Sequence, residues 1–181
     1  PVAVEDLLPG DAVLTTEGPQ EVTWIGATAY VPGAEAPHSA LRHLTRLSQE
    51  GGPHGHRPAM DLLFGPGARM VVRCPRLACL LGQDWALVPV ADFTDAERFL
   101  RVVPAGAVML YHVMLVRHAV IPLAGVDIES YHPGIALRHL ASGPLRGRFL
   151  GLFPHLDGLE GFGPMRLPRA TREVVDSLSD T

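Results

Sequence analysis

Apolar and polar residues alternate over several short stretches in the first two thirds of the chain, with Gly and Pro between them. Residues 12–16 and 21–27 are two such stretches on either side of Glu17-Gly18-Pro19, and they predict a β-hairpin. Further strand-like stretches are residues 61–64, 70–72, 77–81, 85–90, 102–118 and 120–123. Because Gly82-Gln83-Asp84 separates 77–81 from 85–90, these two runs predict a second hairpin.

The pattern changes near residue 140. Ser142 and Pro144 are typical of a helix start, and Leu145, Phe149 and Leu152 follow on one helical face. Pro154 ends this helix, which we expect over about residues 143–153. Residues 171–178 predict a short terminal helix. Earlier in the chain, apolar residues recur at a spacing of three and fit either a short helix or a twisted strand, at Leu41, Leu44 and Leu47.

Composition narrows the fold class. The 181 residues suit one domain, and 47% hydrophobic against 19% charged residues excludes a disordered chain. The 19 Gly and 17 Pro, without a collagen period, indicate many turns. We therefore predict a mostly β fold of some eight to ten short strands with a late helix. Residues 1–134 are expected to form the β domain, and residues 135–181 an extension whose helix packs on it.

Charge and hydropathy limit the classes of partner. The formal net charge is −4, and all 15 basic residues are Arg, scattered along the chain, so we expect no nucleic-acid binding. No apolar run approaches the roughly 18–20 residues of a membrane span. The first ten residues lack the pattern of a signal peptide, so the default expectation is a cytoplasmic protein.

Histidines and cysteines give only weak metal candidates. His54 and His56 lie two residues apart in a Gly- and Pro-rich loop, without a third ligand at a recognised spacing, and we favour a structural role for them. Cys74 and Cys79 are too far apart for a Cys-x-x-Cys motif and have no second pair for zinc. We expect neither a metal nor a cofactor.

Two other candidate motifs also favour structural roles. Gly65-Pro66-Gly67 lacks the Lys and the Ser or Thr of a phosphate loop and predicts a turn. Ser130 lies two residues before His132, but no orienting acid is evident and the strand-to-helix elbow of a Ser hydrolase is missing.

The order of several short motifs, however, resembles the Hint (Hedgehog/intein) domain, and most closely its bacterial branch. The motifs that carry this resemblance are Glu5-Asp6-Leu7-x-Pro9-Gly10-Asp11, Val22-x-Trp24-Ile25-Gly26, Asp61-Leu62-Leu63, Leu80-Leu81-Gly82-x-Asp84, Leu87-Val88-Pro89, Tyr111-His112-x-x-Leu115-x-x-His118-x-Val120 and Glu129-Ser130-Tyr131-x-Pro133-Gly134. Each motif alone is unspecific, whereas the ordered set over about residues 2–134 is fairly specific. The resemblance implies a compact all-β fold.

In active members of that family, the domain rearranges the peptide bond at its own N-terminus. The resemblance implies a Cys or Ser nucleophile that attacks the preceding carbonyl, and a Ser-Pro-x-His or Thr-x-x-His block whose His polarises the amide. In this sequence the nucleophile block would precede Pro1, and the second block has Gly65 and Ala68 in place of the Ser and the His. The late block keeps His112 and His118, which we interpret as hydrogen-bonded core histidines.

Two hypotheses of function follow. The first is a degenerate, non-catalytic Hint-like module that is a structural or protein-interaction component of a larger assembly. It would dock another protein chain at a sheet edge left open by the missing first strand. The second is an autoprocessing domain whose nucleophile block is missing or is supplied in trans. A small metal or ligand site around His54 and His56 is a third and weaker option.

Overall fold

A computed structural model describes residues 2–33, 41, 43–50, 58–137 and 145–179, and the predicted mostly β fold with a late helix is confirmed. The described residues form ten strands, all paired antiparallel. They are β1 (Ala12–Thr15), β2 (Gly18–Tyr30), β3 (Leu44–Leu47), β4 (Leu62–Phe64), β5 (Arg69–Arg73), β6 (Trp85–Pro89), β7 (Phe99–Val102), β8 (Val108–Leu115), β9 (Val120–Leu123) and β10 (Val126–Glu129).

The first sheet has the strand order β1-β2-β8 and contains the predicted first hairpin. The hairpin closes tightly because the Thr15 hydroxyl donates to the Gly18 carbonyl at 2.6 Å and Gly18 has a φ of +102°. Gly26 in β2 leaves room for the indole ring of Trp24, which a side chain at position 26 would overlap. Trp24 therefore lies flat along the strand and is available to pack against residues from the C-terminal part of the chain.

The second sheet has the order β6-β5-β10-β9, and its two faces have different surroundings. Met70 and Val72 of β5 point into the largest apolar cluster, which we name the main core. Its buried members are Leu47, Leu62, Phe64, Met70, Val72, Cys74, Leu77, Ala86, Val88, Val90, Phe99, Val126 and Val175. On the other face, Val71 packs against the cluster of Leu87, Val120 and Leu167. Alternation along β5 thus separates the face that packs against the main core from the face that carries Arg69.

The third sheet, of order β4-β3-β7, closes the far side of the main core. The spacing of Leu44 and Leu47 belongs to a strand, which resolves the choice between a short helix and a twisted strand. Within the described residues, β4 and β7 are the two edges of this sheet. An exposed apolar residue is found near the end of each of these strands, Met60 before β4 and Val103 after β7.

The prediction of a strand over residues 77–81 is wrong. These residues form the helix α1 (Leu77–Leu81), which ends at Gly82 with a left-handed φ of +74°. The Gly82 amide donates to the Ala78 carbonyl at 3.0 Å, as in a glycine that terminates a helix. A continuous apolar run of five residues fits a strand and a buried helical turn equally well, and the glycine marks a helix end instead of a hairpin.

The C-terminal part contributes two helices, α2 (Leu145–Leu150) and α3 (Arg172–Ser179). The expected start of the first helix at Ser142 and Pro144 lies outside the described residues. The terminal helix predicted over residues 171–178 is confirmed, and its Val175 is buried in the main core. The division of the chain after residue 134 stays a prediction.

Besides Val175 of α3, two of the contacts between these C-terminal residues and the strands lie close to the site described below. One is an aromatic cluster around Phe153, whose rings are Trp24, Tyr131, Phe149, Phe153 and Phe162. The other is an extended segment of residues 167–170, which we name the strap. The strap lies parallel to β6: the Leu87 amide donates to the Pro168 carbonyl at 2.9 Å, and the Ala170 amide donates to the Leu87 carbonyl at 3.0 Å.

Among the described residues, no helix combines the length and the apolar character needed to cross a membrane.

Candidate functional site

The candidate site is a group of polar side chains on the second face of the second sheet, where β9 begins and β10 ends. We name it the polar cluster, and its members are Arg69, His118, Glu129, Ser130, His132 and Arg169. Glu129 and Val120 are opposite one another in the β9–β10 ladder, so the residues just before β9 meet those just after β10. Strand pairing therefore brings together two segments about ten residues apart.

His118 and Glu129 form the centre of the polar cluster. The His118 imidazole is fully buried, and its Nε2 donates to Glu129 Oε1 at 2.6 Å. No hydrogen-bond partner for the His118 Nδ1 is found among the described residues. Burial alone would raise the pKa of Glu129, but the hydrogen bond from His118 and the positive charge of Arg169 outweigh it and lower that pKa. The carboxylate is consequently ionised inside the protein.

Two arginines complete the surroundings of Glu129. The Arg169 Nε donates to Glu129 Oε1 at 2.8 Å, and its Nη2 donates to the His132 carbonyl at 2.7 Å. The Arg69 Nη1 lies 3.7 Å from Glu129 Oε2. A buried carboxylate needs such partners, because an unpaired charge inside a protein is costly.

Ser130 and His132 are held by backbone groups. The Ser130 hydroxyl accepts from the Ala119 amide at 3.0 Å. Both ring nitrogens of His132 are engaged, since Nδ1 accepts from the Gly134 amide at 3.0 Å and Nε2 faces the Gly163 carbonyl at 3.2 Å. Both nitrogens of His132 therefore face backbone groups, and neither is hydrogen-bonded to the Ser130 hydroxyl in the part of the chain that the structure describes.

Burial lowers the pKa of His132, and the charges of His118 and Arg169 act in the same direction. The hydrogen bond to the Gly163 carbonyl and the charge of Glu129 oppose this shift only in part. The His118 and His132 rings lie 4.8 Å apart, centroid to centroid. A positive charge on His132 would therefore lie close to the positive charge of Arg169.

The two histidines of the late motif lie in different places. His118 is buried and hydrogen-bonded, as expected of a core histidine. His112 is exposed, contrary to that interpretation; it sits opposite Gly26 in β8 and meets the edge of the Tyr131 ring at 5.7 Å. The two imidazoles have different neighbours: His118 contacts Glu129 and the His132 ring, whereas His112 contacts the Tyr131 ring.

Gly65 and Ala68 form the turn that leads into β5. The Ala68 amide donates to the Gly65 carbonyl at 3.1 Å, and the Ala68 carbonyl accepts from the Val90 amide at 3.0 Å. The Ala68 methyl packs against the main core, whereas the next residue, Arg69, reaches Glu129. Position 68 therefore contributes no polar atom of its side chain to the polar cluster.

The remaining candidates are the two loop histidines and the two cysteines. His54 and His56 lie outside the described residues. Cys74 is buried and Cys79 is exposed, and both are free thiols. In the described ranges, no group of three or more His, Cys, Asp and Glu side chains is arranged to hold a metal ion.

Sequence reasoning missed three members of the polar cluster. Glu129 belongs to the Glu-Ser-Tyr motif, but the motif does not indicate that its carboxylate binds His118. Arg69 and Arg169 gave no signal, because they are two of 15 scattered arginines and Arg169 is 40 residues from Glu129. Only the fold brings these charges into contact.

Comparison with known proteins gives one match. A family model described as the Hint domain matches residues 1–135. No curated protein and no solved structure gives a significant match to this chain. The match includes the ten strands of the described residues and the members of the polar cluster other than Arg169, and it ends before the strap.

Proposed function

This chain belongs to the Hint domain family, and on that premise we propose that it is a degenerate, non-catalytic member of the bacterial branch. The domain then either has a structural role or mediates contact with another protein chain. The proposal rests on two features: the residue at the position of the activating histidine, which is Ala68, and the edges of the third sheet.

The observation that carries the proposal is Ala68. The family's second block needs an imidazole at this position to polarise the amide, and a methyl group can neither donate nor accept a proton. Here the methyl packs against the main core, and Gly65 replaces the Ser of the same block. Loss of a positioned general acid or base typically reduces a rate by about 10²- to 10⁴-fold.

One observation favours a second candidate, an autoprocessing domain whose nucleophile block is supplied in trans. The His118 Nδ1 is buried without a hydrogen-bond partner among the described residues, and Glu129 fixes the other ring nitrogen. A carboxylate that orients an imidazole is an arrangement used for proton transfer. An amide placed next to Nδ1 could therefore exchange a proton with this imidazole.

An added opening block separates the two candidates. The full chain is preceded by a reporter and the Cys-containing opening block of the family, and release of the reporter is followed with and without dithiothreitol. We expect the natural sequence to release no more reporter than a matched chain with Cys→Ala in the added block. Thiol-dependent release that needs the added Cys and is lost in His118→Gln would overturn the non-catalytic proposal and establish the second candidate.

The Ala68→His variant in the same reporter chain provides the reference for activity. Under the proposal, we expect Ala68→His to release more reporter than the Cys→Ala chain, because it restores the imidazole of the second block. Gly67→His is its matched control, because it places an imidazole on the same turn at a position with open space around it. A natural chain as active as Ala68→His would count against the assigned role of Ala68.

The interaction role is tested at the edges of the third sheet. Unpaired strand edges are common docking sites, and a lysine there discourages pairing. The natural chain and the Met60→Lys and Val103→Lys variants are used to capture partners from the native source. Val31→Lys, also at an exposed apolar residue, is the control. A partner held by the natural chain and by the control but lost from the edge variants supports the proposal, and equal capture by all four chains contradicts it.

A further inference from the structure

The contact between Arg169 and its neighbours in the polar cluster has the properties of a binding site. Glu129, the His132 carbonyl and Gly134 belong to the family-matched residues, whereas Arg169 comes from the strap beyond them. We infer that the family-matched unit carries a guanidinium-binding notch, formed by these three groups and filled by Arg169 of the chain's own strap. Its ligand class is an arginine side chain on an extended segment that runs parallel to β6.

The hydrogen bonds of the notch suit a guanidinium in particular. Arg169 uses Nε for the Glu129 carboxylate and Nη2 for the His132 carbonyl, so one planar fork spans two acceptors. The Arg169 side chain is 16% exposed, and that of Glu129 is 5% exposed. A lysine ammonium is a compact point charge and lacks the fixed fork needed to reach both acceptors at once.

Gly134 gives the notch its room. A Cβ on Gly134 would overlap the Arg169 Nη1. Gly134 also has a φ of +61°, a conformation that favours glycine. The glycine of the Pro-Gly pair that follows the polar cluster is therefore both a turn residue and the wall of the notch.

The backbone of the strap supplies the second element of recognition. The strap adds to the outer edge of β6 through the two hydrogen bonds of Leu87, as extended peptides do when they add to a sheet. Leu167 is buried beside Leu87 and Val120 and anchors the segment two residues before the arginine. A buried leucine, a strand pairing and a guanidinium fork together define the bound segment.

The notch would exist in a non-catalytic domain and in an autoprocessing one. It goes beyond the proposed function, and the experiments on reporter release and on the notch can fail separately.

Chemical rescue tests the notch in the full chain. In Arg169→Ala, we expect millimolar methylguanidinium to shift the imidazole NMR signals of His118 and His132 saturably. Methylammonium should bind at least tenfold more weakly, and the natural chain should not respond because Arg169 fills its notch. No saturable shift in Arg169→Ala, or equal binding of the two cations, would overturn the inference.

A second pair of variants applies even where Arg169→Ala fails to fold. Gly134→Ala fills the notch, while Gly82→Ala puts the same strain at a φ of +74° with open space around it. Amide hydrogen exchange at Leu87 and Ala170 should accelerate at least tenfold relative to the natural chain in Gly134→Ala and change much less in Gly82→Ala. Equal acceleration in both variants would assign the effect to backbone strain and contradict a notch built around Gly134.

Discussion

Two of the contacts that attach the C-terminal residues to the family-matched unit have opposite character. Around Phe153, five aromatic rings pack against one another, and the Trp24 Nε1 donates to the Leu152 carbonyl at 2.7 Å. Around Arg169, a buried carboxylate holds a guanidinium and an imidazole. Apolar burial contributes free energy with little demand on geometry, whereas buried charges demand a defined set of partners.

The difference between the contacts predicts different responses to substitution. Removing a ring from the aromatic cluster takes away contact area and leaves a cavity. Removing one charge from the polar cluster leaves a buried charge without its partner. The loss of stability then comes from that remaining charge. The first effect depends on volume and the second on pH and on the identity of the partner.

The largest effect is expected for Phe153→Ala. Phe153 is 1% exposed and contacts four other rings of the aromatic cluster and His155. We expect the free energy of unfolding to fall by about 3–5 kcal/mol, measured by urea denaturation at neutral pH. Phe153→Leu is the control and should cost clearly less, since it keeps most of the buried volume. Equal losses for the two variants would show that cavity formation is not the cause.

The next effect is expected for Arg169→Ala. Because this change leaves the buried Glu129 with one partner fewer, we expect a loss of about 3 kcal/mol. In a double-mutant cycle, Glu129→Gln should remove much of the effect of Arg169→Ala, with a coupling of about 1–3 kcal/mol. Additive losses would mean that the two side chains do not act as a pair.

A smaller, pH-dependent effect is expected for His132. Its pKa in the folded chain lies below the usual 6.5, so the unfolded chain binds this proton more readily. Stability is therefore full above pH 6.5 and falls as the pH drops from 6.5 towards the lower pKa, by at most about 1.4 kcal/mol per pH unit. His132→Gln should flatten the curve of unfolding free energy against pH in this window. A curve as steep in His132→Gln as in the natural chain would contradict this assignment.

Glu129 adds a second window at lower pH. Because its pKa is lowered from 4.5 in the folded chain, its stabilising effect is present above pH 4.5 and is lost as the pH falls through the lower pKa. Glu129→Gln should remove this acid loss and, because it takes away a charge that raises the pKa of His132, should extend the window below pH 6.5 to lower pH. Two separate windows would show that His132 and Glu129 titrate as distinct groups of the polar cluster.

Local patterns explain which parts of this molecule were predictable. The alternation in residues 21–27 requires one buried and one open face, and these residues do lie in β2. Residues 77–81 show no alternation, so this apolar run is compatible with a strand as well as with the helix that it forms. His118 was found through a motif, but Arg169 was not, because no local rule connects it with a carboxylate 40 residues earlier. Contacts between distant charges depend on the complete fold and on glycines such as Gly134.

The smallest effect is expected at a third link between the C-terminal residues and the strands. Arg166 Nη1 lies 3.0 Å from Glu17 Oε2 in the turn between β1 and β2, and their side chains are 37% and 41% exposed. Water screens such a pair, so Arg166→Gln should change the free energy of unfolding by less than about 1 kcal/mol, and less still in 1 M salt. Arg166 precedes Arg169 by only three residues and carries the same guanidinium. A loss at Arg166 as large as that at Arg169 would show that charge on this segment matters irrespective of burial, and would remove the distinction between the polar cluster and an ordinary surface ion pair.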